Sequence, residues 1–346
     1  MKPPLLYPVY FSAMPLDSKL PVYRLALCAA LLPACAGAQS LLVVNQGDAT
    51  LSIVDPTSGK QVAVIAENTP GIHGHEIVAS ADGHTAWMPI YGSSGVGKPG
   101  VDGHEMLVID LPSHKVTGKV DFGHGVRPHM PLLDPASGNL YVTTELDRSV
   151  TILDPLTGKI VGSVPTGQDQ SHMLVLSHDG RRGYTANVGP GTISVLDMAG
   201  RKTIAVIPIS GEVQRISISN DDRWVFTSDQ TKPQLAVIDT TTNAVKKWIP
   251  LPGLGYGAAP TPDGHWLVLA VPTVNKLAII DLKTMRMART IDVPAAPQEV
   301  LIAPGSRTAY VSCNTSGKVA QINLVTWKVD RLITAGPGAD GLAWVK

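Results

Sequence analysis

The chain carries ten histidines, nine of them before residue 180. Three begin a regular series: His75, His129 and His172, spaced by 54 and 43 residues. Steps of 42 residues carry the series on through Gln214, Tyr256, Gln298 and Asp340. Neutral imidazole binds zinc, copper and iron, and three converging imidazoles leave a position open for water or substrate. His75, His129 and His172 are therefore candidate ligands for a copper, zinc or iron ion. They are also catalytic candidates, with Tyr256 and Glu145. The alternative is that each imidazole holds only waters and backbone groups in a polar channel. No H-E-x-x-H motif settles the choice.

Further groups accompany the series. Arg127 and Arg215 flank it and suit a substrate carboxylate or phosphate, or else pair with a nearby loop. With Gln214, Gln298 and Asp340 they form the candidate ligand-binding set. His73, His104 and His124 are expected near the same place. Glu76, Glu105, Glu145, Glu299 and Asp229 are carboxylates that orient an imidazole or act as a base. Tyr256 stands among glycines 253, 255 and 257, which suits a stacking surface, a phenolic acid or a plug. The glycine-rich stretch 92–100 reads as a lid or as a tolerated loop. Cys313 reads as a buried thiol rather than a nucleophile.

The elements that position these residues are strands. Seven segments end an apolar run in Asp or Asn, at Asp55, Asp110, Asp154, Asp197, Asp239, Asp281 and Asn323, spaced by 55, 44, 43, 42, 42 and 42 residues. Turn residues follow, as in Pro56-Thr57-Ser58-Gly59, and then another alternating strand. Each unit reads as four short strands, the pattern of a β-propeller blade. The chain supplies strands two to four of one blade from residue 42 onward. It ends on a lone first strand, Gly341 to Val345. Joining them closes a seventh blade and removes the sheet edges. The expected fold is all-β: one seven-bladed propeller of four antiparallel strands per blade, spanning residues 39–346. The first strand of each blade lies innermost, so the polar series rings the channel mouth. Two positions on, Ile77, Pro131, Leu174, Ile216, Ala258, Val300 and Leu342 form an apolar layer.

Tyr141-Val142-Thr143-Thr144, Tyr184-Thr185-Ala186-Asn187 and Tyr310-Val311-Ser312-Cys313-Asn314, with the repeated V-I-D strand and P-D-G turn, resemble the YVTN-repeat β-propellers. That family is similar in repeat pattern to the haem propeller of dissimilatory nitrite reductases. The resemblance covers residues 39–346 and implies the fold and an exported protein. It implies little about function, because propellers host many chemistries. Related propellers include lactone-cleaving enzymes and a copper-cluster reductase, which is far richer in histidine than this chain.

Residues 1–38 read as an export signal: Arg24, an apolar run from Leu25 to Leu32, then Ala36-Gly37-Ala38 before Gln39. The run is too short to span a bilayer, so no transmembrane segment is expected. Met14 is an alternative start, and Cys35 an alternative lipidation site. Cleavage after Ala38 leaves only Cys313, hence no internal disulfide. Lys and Arg total 28, as do Asp and Glu, which argues against a nucleic-acid partner. No G-x-S-x-G, P-loop or C-x-x-C-H haem attachment occurs. The expectation is a periplasmic or secreted propeller with a His-rich small-molecule or transition-metal site at the channel mouth, acting as a metal-dependent hydrolase, lyase or oxidoreductase. The alternative is a non-catalytic propeller that binds a ligand, a cofactor or a partner protein. A metal ion is expected ahead of haem.

Overall fold

Period-two alternation of apolar residues with turn-forming Asp and Gly builds seven antiparallel sheets. The computed structural model describes residues 39–305 and 307–346. The expected signal segment, with its cleavage and lipidation alternatives, lies outside the described residues. The repeated Asp forms the turn after the third strand of each blade. Asp55 accepts hydrogen bonds from the Thr57 amide (2.8 Å) and the Ser58 hydroxyl (2.6 Å), and these bonds lower its pKa. Gly59 follows at a φ of +68°, a conformation glycine adopts without penalty.

The seventh blade closes as expected. Ser40–Asn45 pairs antiparallel with Ala339–Val345, matching Leu41 with Trp344 and Val43 with Leu342. One apolar cluster then joins this blade to the first through Leu42, Ile53, Ala343 and Val345 on one side and Ile77, Met88 and Leu107 on the other. Inner and second strands are buried, whereas outer strands such as Lys60–Ala66 are largely exposed.

The inner strand of the first blade departs from the four-strand pattern. It is split into His73–Gly74 and Val78–Ala79, both paired with Thr85–Gly92. The residues between them, 75–77, point their backbone elsewhere: the Gly341 amide donates to the His75 carbonyl at 3.0 Å. Gly257 repeats this contact with the Gln298 carbonyl at 3.1 Å. A Cβ at either glycine would sit 2.3 Å from that carbonyl oxygen, so both positions require glycine.

Most inner strands begin with a register shift. The pairing skips between Pro131 and Pro128, between Met173 and Ser171, between Ile216 and Val213, between Val300 and Pro297, and between Leu342 and Ala339. The skipped residues include His129, His172, Gln214, Gln298 and Asp340. A bulge breaks strict alternation and re-aims side chains. Two consecutive residues can therefore face the axis, the series residue and the one after it.

Candidate functional site

All seven series residues, His75, His129, His172, Gln214, Tyr256, Gln298 and Asp340, line one axial cavity of about 230 Å³. Gln46, Asn314 and Arg215 complete its polar wall, and Gly95 and Val96 of the long insertion reach over it. The insertion thus roofs the cavity.

The histidines cluster at the axis. The His129 and His172 rings stack with centroids 3.5 Å apart, and His75 meets His129 edge-on at 5.4 Å. Among the described residues, no group of three or more His, Cys, Asp or Glu is placed to hold a metal ion. Burial lowers the pKa of His75 and His129 far below the usual imidazole value, and neighbouring imidazoles add to the effect. His172 is lowered less, because Glu145 partly offsets its burial. All three are neutral near pH 7. His75 Nε2 and His129 Nδ1 are buried without a hydrogen-bond partner.

Beneath the rings lies Tyr91, fully buried, with its centroid 4.8 Å from His75 and 5.6 Å from His172. Its hydroxyl donates to Glu145 Oε2 at 2.7 Å, and the same oxygen is 3.4 Å from His172 Nδ1. Glu145 therefore orients an imidazole. Tyr91 escaped the sequence reading because it belongs to a second strand, outside the 42-residue series.

The floor of the cavity, Arg215 and Asp340, belongs to a charge cluster drawn from four blades. Arg215 Nη1 donates to Glu76 and, at 2.8 Å, to Glu299, while Nη2 donates to Asp340 at 3.3 Å. Its guanidinium lies 4.7 Å from the Tyr256 ring centroid. Burial raises the pKa of Glu299 and Asp340 well above the usual carboxylate range, only partly offset by Arg215. The Gln46 side-chain amide also donates to Asp340. Sequence reasoning placed Glu76, Arg215 and Glu299 near the site but missed that they form one layer, a single residue beyond the series. Opposite charges recurring at that offset were the available signal.

Arg127 serves the roof rather than a ligand anion. Its Nε donates to Asp102 at 2.5 Å, Nη2 to the Lys98 carbonyl at 2.8 Å, and Nη1 to the Gly95 carbonyl at 3.4 Å. Arg215 is likewise paired internally, with Glu76, Glu299 and Asp340. His104 and His124 are exposed and do not line the cavity; His124 pairs with Asp147 at 2.8 Å. His73 stacks on His75 at 5.0 Å from outside the lining. Glu105 pairs with Lys119, and Asp229 caps its own turn through Thr231 and Gln234. Cys313 is buried, and burial pushes its thiol up to about 12, which leaves it inert.

Residues 136–335 match the family described as the cytochrome D1 haem domain. Three solved structures are similar. Periplasmic gluconolactonase PpgL of Pseudomonas aeruginosa has a TM-score of 0.71 at 17% identity, over 89% of this chain and 99% of that one. Hydrazine synthase of Kuenenia stuttgartiensis has 0.66 at 18%, over 80% and 90%. Dihydro-haem d1 dehydrogenase NirN in complex with DHE has 0.62 at 16%, over 88% and 74%. At such identities the likeness establishes the fold. No curated protein sequence matches this chain.

Proposed function

The chain belongs to the family of the cytochrome D1 haem domain, and within that family we propose that its axial cavity binds a small polar molecule and exchanges protons with it. Haem, ranked below a metal ion on sequence grounds, is what the family points to first. The neutral imidazoles would suit haem iron, but the surroundings do not fit a macrocycle. The cavity, about 230 Å³, falls below the ~300 Å³ at which pockets for drug-sized ligands begin. Val96 is the one aliphatic side chain in its lining, so no apolar walls sandwich a ring system. Both nearby guanidiniums are spent on internal partners, leaving none for haem carboxylates.

The observation that carries the reading is convergence. Equivalent positions of seven blades meet in one polar space, and Asp340 in its lining and Glu299 on the same guanidinium have pKa values drawn toward neutrality. A proton donor or acceptor works best when its pKa lies near the working pH. Asp340, in the lining, is the proposed acid–base group. Glu299, held protonated by burial, is a donor beside it. Glu145 keeps His172 oriented, with one ring nitrogen committed and the other available. The reaction class this supports is hydrolysis or elimination on a small hydroxylated compound. The export signal read at residues 1–38 supports a periplasmic or secreted location, and an intact-mass N-terminus at Gln39 tests it. Among the described residues, no helix is long and apolar enough to cross a membrane.

Two titrations test the proposal. Haem added to the purified chain should give no saturable one-to-one Soret shift. Small hydroxylated compounds, including sugar lactones, should include one that raises the melting temperature in wild type but not in Asp340→Asn. A stoichiometric haem complex would refute the reading.

A further inference from the structure

The charge of the molecule that enters the axial cavity can be read from its wall. We infer that the cavity selects a small organic cation, an amine-bearing hydroxylated molecule, over neutral and anionic molecules of the same size. The inference rests on reading the cavity as a small-molecule site.

Two buried carboxyls, Glu76 and Asp340, and the partly exposed Glu299 share the single positive charge of Arg215. One guanidinium cannot neutralise three carboxylates, so the floor is short of positive charge. The upward pKa shifts of Glu299 and Asp340 express that shortage, since protons fill the place of missing cations. Arg127, a further cation, is turned into the roof loop. The histidines add no charge, because burial keeps them neutral.

A second, independent feature points the same way. His129 is 1% exposed and lines the cavity, yet its Nδ1 has no partner, and His75 Nε2 is also orphaned. A neutral imidazole offers one acceptor nitrogen. An ammonium group brings three donors and no acceptor, which suits acceptor imidazoles above a carboxyl floor. An anion would need an uncommitted cation there. Arg215 is shared among the carboxyls, and the Gln46 amide is bound to Asp340. Gln214, Gln298 and Asn314 remain for hydroxyl groups.

The test is calorimetric titration of the intact chain at pH 7 with glucosamine, glucose and glucuronate, which share a ring and differ in charge. Glucosamine should bind at least about tenfold more tightly than glucose, as a close charge pair in a buried setting supplies; glucuronate should not bind detectably. Glu76→Gln, with an unchanged circular dichroism spectrum, should reduce the preference to about threefold or less. Equal affinities, or a preference for glucose or glucuronate, overturn the charge assignment while leaving the small-molecule reading intact. If none of the three binds, and ethanolamine and serinol also fail, both readings fall together.

Discussion

Replacing Arg215 with Met tests the charge cluster most directly. The substitution keeps an unbranched side chain in the channel but removes the cation that Glu76, Glu299 and Asp340 share. Breaking a buried ion pair by deleting one partner costs about 3–5 kcal/mol. Here the cost depends on pH. Without the cation, the folded-state pKa values of Glu299 and Asp340 rise further above their ordinary values of 4.5 and 3.8, so the native state binds more protons than the unfolded one. Stability then falls as pH rises through that window. At pH 8 the Met variant should be less stable than wild type by about 3–4 kcal/mol, the usual cost of an uncompensated buried charge. At pH 5, with the carboxyls protonated, the loss should shrink to about 1 kcal/mol, the residue of lost hydrogen bonds and of the Tyr256 stacking. Urea unfolding at both pH values measures the difference. Adding Glu76→Gln to the Met variant should recover most of the pH 8 loss. A destabilisation of equal size at pH 5 and pH 8, or none at either, would refute the cluster as an electrostatic unit.

Deleting Gly341–Lys346 should abolish cooperative unfolding at the wild-type temperature, because it strips an inner strand and exposes Leu342 and Val345 at about 1.5–3 kcal/mol per large side chain; an unchanged melt would disprove the closure. Burial raises Glu67 to about 7, and its Oε1 has no partner. Its contribution to stability is full below the unfolded value near 4.5 and is lost as pH rises through 7, so Glu67→Gln should stabilise the protein by about 2 kcal/mol at pH 8 and by little at pH 4.5. Arg127→Ala should free the roof: limited proteolysis should cut within residues 93–101 well before any other site, with the melting temperature lowered by only a few degrees, and uncut insertion would count against the latch.

The repeated Asp turns and the 42-residue period were enough to determine seven blades, their closure and the ring of seven axial positions. Those features follow from local chemistry, turn capping and period-two burial, which a sequence displays directly. The apolar layer two positions on was legible for the same reason: Leu174 is fully buried, and Ile77, Ile216, Val300 and Leu342 nearly so. What the ring does was not legible. Alternation assigns Glu76, Arg215 and Glu299 to the opposite side of the strand from their neighbours, and bulges at the inner-strand starts turn both residues inward. How the three imidazoles pack depends on Tyr91 and Glu145, which lie outside the inner strands. The tertiary structure alone decided that one guanidinium would serve three carboxyls from three further blades, because residues up to 139 positions apart meet only when the ring closes.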